Sequence, residues 1–166
     1  ATNHAGIRWY ELRRNGGNWS VRQSGTYAPD EHSRWMGSVS LNGNNQIGLA
    51  YSISSTSEYP GIRFCGQSET EYAAASGILD IDEEIIQTGS NSQNGINRWG
   101  DYADLSVDPD DDHTFWFTSQ YIGNGGSRRT KIAAFEFAPQ SLMAMFTVSN
   151  ANPCEGNSVD FMDQSG

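Results

Sequence analysis

Two Arg-Trp pairs are the residues of this 166-residue chain best suited to hold a ligand: Arg34-Trp35 and Arg98-Trp99. An arginine presents a planar fork of donors to a carboxylate, and it also stacks on the face of a tryptophan ring. Such a pair suits acidic sugars or the carboxyl end of a peptide. The alternative role is structural, because a pair that recurs in both copies of a repeat can pack one copy against the next.

Asp101 and Tyr102 are further candidates because they interrupt the repeat. Gly100-Asp101-Tyr102 stands where the first copy has Met36-Gly37. A departure from internal symmetry is where a function specific to one copy is expected, so Asp101 and Tyr102 are predicted to hydrogen-bond a ligand. An aspartate in a turn also commonly accepts hydrogen bonds from backbone amides, and that alternative stays open.

The densest acidic cluster of the chain contains Asp108, Asp110 and Asp112. Alternate carboxylates can supply oxygen ligands to Ca²⁺, the one metal that the sequence suggests. The run lacks the glycine and the distal glutamate of an EF-hand loop, so a solvated turn is the alternative interpretation.

Composition argues against several other functions. A formal net charge of −10 disfavours a nucleic-acid partner. No run approaches the roughly 18 apolar residues of a membrane span. The three histidines are far apart, and no glycine-rich phosphate loop opens a helix, so no further cofactor is predicted. Cys65 and Cys154 are too few for a disulfide framework, and whether they pair is left open.

Alternating apolar residues, separated by Gly, Asn and Pro, predict short antiparallel strands over most of the chain. A polar loop is predicted at 24–34, a second one at 89–97, and a short helix at 71–76. The predicted strands are, in order, 7–13, 19–23, 37–41, 46–54, 62–66, 78–87, 103–107, 113–121 and 128–137.

The segments that carry these strands repeat each other at an offset of 64 residues, since 87 − 23 and 98 − 34 give the same value. Gln23-Ser24-Gly25 recurs as Gln87-Thr88-Gly89, just as the first Arg-Trp pair recurs as the second. Repetition over tens of residues is typical of stacked supersecondary units. Four antiparallel strands joined by tight turns make a β-propeller blade, so the predicted fold is all-β, with about two blades and part of a third in residues 1–138.

The residues from Arg98 to Thr118, with Arg-Trp, Gly-Asp-Tyr, Ser-Val-Asp-Pro and Phe-Trp-Phe-Thr, resemble the last blades of secreted bacterial β-propellers of the sialidase-like, bacterial-neuraminidase-repeat type. The tail from Phe146 to Phe161 resembles the opening of a PKD-type immunoglobulin-like domain. This resemblance implies a linker and the first strands of a truncated β-sandwich in residues 139–166. It also implies a secreted or cell-surface bacterial protein.

The chain departs from the sialidase pattern in one important respect. A sialidase Asp-box needs Ser-x-Asp-x-Gly-x-Thr-Trp, whereas a longer acidic turn separates Asp108 from Thr114. We therefore expect an extracellular binding or assembly module that recognises glycan or protein and associates with the remaining blades of its parent protein or with further copies of itself. Two alternatives stay open. One is a part of a sialidase-like glycoside hydrolase, with Arg34, Arg98, Asp101 and Tyr102 at its pocket, and the other is a purely structural spacer.

Overall fold

A computed structural model describes residues 3–138 in full, together with the backbone of two short strands at 146–148 and 161–163. The described chain is mostly antiparallel β-structure, in sheets of two to four strands. The strands are β1 (Ile7–Arg14), β2 (Trp19–Tyr27), β3 (Ser33–Leu41), β4 (Ile47–Ser54), β5 (Gly61–Gln67), β6 (Ile81–Gln87), β7 (Asp104–Val107), β8 (Phe115–Ile122), β9 (Arg128–Phe135), β10 (Phe146–Val148) and β11 (Phe161–Asp163).

Each sheet follows the order of the chain. Strands β1 and β2 form a hairpin, β3 to β6 form a four-stranded meander, and β7 to β9 form a three-stranded meander. One short helix, α1 (Glu69–Ala74), lies between β5 and β6. Its N-cap is Ser68, whose side chain accepts a hydrogen bond from the Glu71 amide, and it ends at Ala75 in the left-handed conformation.

The polar turn between β3 and β4 shows how local sequence sets the pairing of these strands. The Asn42 side-chain oxygen accepts hydrogen bonds from the backbone amides of Asn44 and Gln46, at 3.1 and 2.9 Å. Asn45 takes a φ of 60°, a conformation that asparagine tolerates better than most residues. The turn therefore aligns Leu41 with Ile47 and fixes the register of both strands.

All nine strands predicted before residue 138 are present, but the prediction for the loop 24–34 is wrong at both of its ends. Strand β2 continues to Tyr27 and β3 begins at Ser33, so Arg34 and Trp35 lie inside a strand rather than before it. The reason is a bulge between Trp35 and Ser38, which lets β3 pair with β4 on both sides of the irregularity.

The four-stranded sheet is the centre of the described structure, because each of its faces packs against a different neighbour. The face toward the hairpin buries Trp9 of β1 beside Ile47, and the reciprocal side-chain amide pair of Gln23 and Gln67 joins β2 to β5 at 2.9 and 3.0 Å. The opposite face packs against the three-stranded sheet and forms the main apolar cluster. Its buried members are Ala50, Ile62, Phe64, Leu105, Phe115, Phe117 and Phe137.

The predictions for residues 139–166 fall largely outside the described residues. Strands β10 and β11 pair antiparallel, with Phe146 opposite Asp163. The predicted linker, the turn between the two strands and Cys154 are not among the described residues. Cys65 is a buried thiol with no disulfide partner in the described part of the chain. Within that part, no helix is both long and apolar enough to cross a membrane.

Candidate functional site

An open cleft of about 590 Å³ lies at one end of the central sheet, where loops of two sheets meet. Its volume is within the range of about 300–1,000 Å³ that small-molecule sites in proteins occupy. The lining combines two tryptophans with hydroxyl and amide groups. The residues that line it are Trp35, Ser54, Ser55, Thr56, Ser57, Glu58, Tyr59, Pro60, Ser92, Gln93 and Trp99.

The fold brings together the two tryptophans of the repeated Arg-Trp motif. The ring centroids of Trp35 and Trp99 are 5.3 Å apart, and the rings meet edge to face at 76°. This geometry is favourable for aromatic pairs because the positive edge of one ring faces the negative face of the other. The pair therefore joins the first repeat to the second and at the same time forms the aromatic part of the cleft.

Trp35 owes its position to the irregularity in β3. Met36, directly after it, has a φ of 51°, which is rare for a residue with a side chain. A bulge of this kind changes the direction of the neighbouring side chains and increases the local twist of the strand. Trp35 is paired with Ser52, two residues before the end of β4.

Trp99 is held by hydrogen bonds at both its ring and its backbone segment. The indole Nε1 donates to Ser52 Oγ at 3.2 Å. The Gln93 side-chain nitrogen donates to the carbonyl oxygens of Ile96 and Arg98, at 3.1 and 2.8 Å. These bonds order the polar loop predicted at 89–97, which contains no helix or strand.

A hydroxyl-rich turn between β4 and β5 forms another part of the cleft wall. The Ser57 amide donates to Ser55 Oγ at 3.1 Å, and the Ser55 amide donates to the Glu58 carbonyl at 3.0 Å. Tyr59 follows and is half exposed, at 51%. The turn thus presents several groups that both donate and accept hydrogen bonds on a backbone that its own side chains stabilise.

Arg34 does not line this cleft but is fully buried, at 0% exposed. Its guanidinium donates two bonds to the Asp30 carboxylate, at 2.7 and 3.0 Å, and one to Glu83 Oε2 at 2.8 Å. The guanidinium also lies near the rings of Tyr27 and Tyr51 rather than on the adjacent tryptophan. Two carboxylates therefore already occupy the fork that was predicted to bind a ligand.

Glu83 is the acceptor that connects this buried network. Besides Arg34, it accepts hydrogen bonds from the Tyr51 hydroxyl and from Arg63. Burial alone would raise the pKa of Glu83, but the bonds from Arg34, Tyr51 and Arg63 outweigh burial and hold its pKa below the ordinary value. Burial, followed by neighbouring charges, raises the pKa of Tyr51 well above its ordinary value, so this phenol stays protonated.

Glu58 connects the network to the cleft. Its Oε1 accepts a bond of 2.6 Å from Arg63, whose other terminal nitrogen reaches Glu83 at 2.5 Å. His32 Nδ1 lies 3.7 Å from Glu58 and 3.3 Å from Asp30. Glu58 is thus both a member of the ion-pair network and part of the wall of the cleft.

The remaining predicted ligand-binding residues lie outside the cleft. Arg98 pairs with Asp101 at 2.5 Å on the surface. Tyr102 is 90% exposed. The structure therefore brings Trp35 and Trp99 together in one site, whereas Arg98, Asp101 and Tyr102 are exposed and do not line it.

The acidic turn uses several of its carboxylates to hold its own backbone. Asp108 Oδ1 accepts from the Asp110 amide at 2.9 Å, and Asp108 Oδ2 accepts from the Trp116 indole at 2.9 Å. Asp112 has a φ of 59°. Among residues 3–138, no group of three or more His, Cys, Asp or Glu side chains is arranged to hold a metal ion. The calcium site at Asp108, Asp110 and Asp112 stays a prediction.

Sequence reasoning missed the hydroxyl-rich turn and Gln93. The run Ser54-Ser55-Thr56-Ser57 was available as a signal, because four consecutive hydroxyl residues at the end of a strand and in the turn after it offer many hydrogen-bonding groups. Its meeting with residues 92–93 depends on contacts between distant segments and has no local signature. No family model, curated protein or solved structure matches the chain.

Proposed function

We propose that this chain is a binding module of an extracellular protein and that the cleft holds a carbohydrate. The observation that carries the proposal is the cleft of about 590 Å³, which an aromatic pair and a run of hydroxyl residues line together. A sugar ring offers apolar C–H faces and hydroxyl groups together. Aromatic side chains complement the first, and hydroxyl and amide groups complement the second.

The proposal includes the architecture expected from the sequence, in which the sheets are successive blades of a β-propeller. By the repeat, β2 with Gln23 corresponds to β6 with Gln87, and β3 with Trp35 corresponds to the segment at Trp99 that leads into β7. The hairpin then supplies the last two strands of one blade, β3 to β6 form a whole blade, and β7 to β9 are the first three strands of the next. The resemblance to secreted bacterial sialidase-like propellers and to a PKD-type domain supports an extracellular location.

Association with further blades follows from this correspondence. Within the described residues, β1 pairs only with β2, and β9 pairs only with β8. Each has an edge with unpaired backbone groups, and such edges tend to accept another strand. Val39 and Leu41 of β3, and Tyr10 and Leu12 of β1, are also substantially exposed. We propose that the remaining blades of the parent protein cover these edges and side chains.

The cleft favours binding over hydrolysis. Most glycoside hydrolases place two carboxylates on either side of the scissile bond. Among the described residues that line the cleft, the carboxylate is that of Glu58 alone, and Arg63 occupies one of its oxygens. A sialidase-like role would need residues supplied by other parts of the parent protein.

The test is a printed glycan array followed by calorimetric titration of the best glycan. We expect Trp99→Ala to weaken binding about tenfold or more, since one well-buried aromatic contact contributes on the order of 1–2 kcal/mol. Tyr59→Ala tests the same cleft through a half-exposed residue with less influence on folding. Trp19→Ala is the matched control, because Trp19 is 66% exposed on β2 and lies outside the cleft.

Three results would count against the proposal. Equal binding by wild type, Trp99→Ala and Tyr59→Ala would place the carbohydrate elsewhere. Turnover of a fluorogenic sialoside that Trp99→Ala abolishes would favour the hydrolase instead. Absence of binding to any glycan on the array would leave the role of structural spacer as the better explanation.

A further inference from the structure

We infer that the carbohydrate of this cleft is a neutral one and that the site discriminates against acidic sugars. The inference rests on the proposed function and names the chemical class of its ligand. It revises the expectation from sequence that the Arg-Trp pairs bind acidic sugars.

Each arginine near the tryptophan pair is already matched with carboxylates of the protein. Arg34 is buried against Asp30 and Glu83, as described above. Arg63 spans Glu58 and Glu83, at 2.6 and 2.5 Å. Binding the carboxylate of a sugar would require breaking such a pair and leaving a partly buried acid without its cation, which is costly.

The second repeat offers no replacement. Arg98 pairs with Asp101 and is not among the residues that line the cleft. Of the described residues that do line it, none is an arginine or a lysine. The hydrogen-bonding groups available to a ligand there are the hydroxyls and amides of residues 54–57, Tyr59, Ser92 and Gln93.

The charges beside the cleft add repulsion to this lack of a cation. In the network, two guanidinium groups, of Arg34 and Arg63, face three carboxylates, of Asp30, Glu58 and Glu83. With the neighbouring His32 counted as neutral, one negative charge is left over, and Glu58 is the carboxylate of this network that lines the cleft. The chain as a whole carries −10. An anionic sugar therefore approaches a negative surface, and no arginine or lysine among the described residues of the lining offers it a fixed positive charge.

The experiment compares matched glycans that differ only in an acidic group. The probes are a printed array with neutral glycans and their sialylated, uronate and sulfated counterparts, then titration with lactose and 3′-sialyllactose or with the best matched pair. We expect the neutral member to bind about tenfold or more tightly at low salt. The difference should narrow as salt rises, because screening weakens the repulsion near the surface.

Glu58→Gln tests the source of the discrimination. The substitution removes one negative charge at the cleft, while Arg63 keeps its ion pair with Glu83. The preference for the neutral glycan over its acidic counterpart should therefore shrink severalfold. Glu84→Gln is the matched control, since Glu84 is an exposed glutamate on β6 that does not line the cleft. It should leave the preference unchanged. If Glu58→Gln does not fold, the comparison of matched glycans on the wild type decides by itself.

The outcomes separate the two proposals. Acidic glycans that bind as tightly as their neutral counterparts, or more tightly, overturn this inference and leave a carbohydrate-binding module in place. Absence of binding to every glycan, neutral or acidic, overturns the proposed function and the inference together. An unchanged preference in Glu58→Gln overturns the assignment of the discrimination to this carboxylate.

Discussion

Replacing Glu83 by glutamine should destabilise the protein far more than replacing the adjacent Glu84 by glutamine. Glu83 accepts hydrogen bonds from Arg34, Tyr51 and Arg63, and its side chain is 11% exposed. Glutamine has nearly the same shape but no charge. The substitution therefore leaves the buried Arg34 with only Asp30 as its acidic partner.

The expected magnitude comes from the cost of an unmatched buried charge. Removing one partner of a buried ion pair typically costs about 3–5 kcal/mol in the free energy of unfolding. Because Asp30 still neutralises part of the Arg34 charge, we expect the lower end, about 3 kcal/mol. For a chain of this size each kcal/mol lowers the unfolding midpoint by about 2–4 °C, so the shift should be about 6–12 °C.

The assay is urea unfolding followed by tryptophan fluorescence, repeated over a range of pH. The pKa of Glu83 is lowered on folding, so the unfolded chain binds more protons than the native one near and below the unfolded value of 4.5. The stabilisation from this carboxylate is therefore complete above that pH and is lost as the pH falls through the native pKa. Glu83→Gln should flatten this part of the pH profile, although Asp30, whose pKa is also lowered, keeps some of the slope.

Glu84→Gln is the control on the same strand, where the side chain is exposed. We expect it to leave the free energy of unfolding nearly unchanged. If Glu83→Gln lowered the free energy of unfolding by less than about 1 kcal/mol, or by no more than Glu84→Gln does, the buried network would not stabilise the protein as proposed.

Two further predictions concern a close backbone approach of the hairpin and the burial of a thiol in the central sheet. An alanine methyl at Gly25 would overlap the Gly77 carbonyl oxygen and approach the Trp9 indole, so Gly25→Ala should lower the free energy of unfolding in urea by about 1–3 kcal/mol. Gly17 has open space around it, so Gly17→Ala should lower this free energy little. Equal losses in the two variants would contradict the close approach at Gly25. Cys65 is buried, and burial raises the pKa of its thiol to about 12. In a Cys154→Ser variant this thiol should therefore react with Ellman's reagent only as fast as the protein unfolds. Rapid labelling of the native protein would show instead that the thiol is accessible.

The strands could be predicted from the sequence because their signals are local. Alternating apolar residues in Gln46 to Ser54 and the turn residues Asn42 to Asn45 act over a few positions, and the structure places β4 and its turn there. The repeat carried longer-range information, since it related Trp35 to Trp99, and the two rings are in contact. The tandem blade arrangement itself stays a proposal.

The burial of Arg34 could not be predicted from its neighbours in the sequence. A strand that contains Ser33, Arg34 and Trp35 gives no sign that the arginine faces inward. Its burial depends on Glu83, which is 49 residues away, and on the Tyr51 ring. A charge can be buried only when its partners arrive with it, and those partners come from four different segments of the fold.

The amide pair of Gln23 and Gln67 helps to determine which face of the central sheet the hairpin packs against. Apolar surfaces alone discriminate poorly between packing partners, because many of them fit one another about equally well. A hairpin stacked instead on the opposite face of the central sheet would set the Gln23 amide against Ile62 and Phe64. Each buried polar group left without its hydrogen bond would cost about 1–3 kcal/mol. The two glutamines therefore favour packing of the hairpin on the correct face of the central sheet.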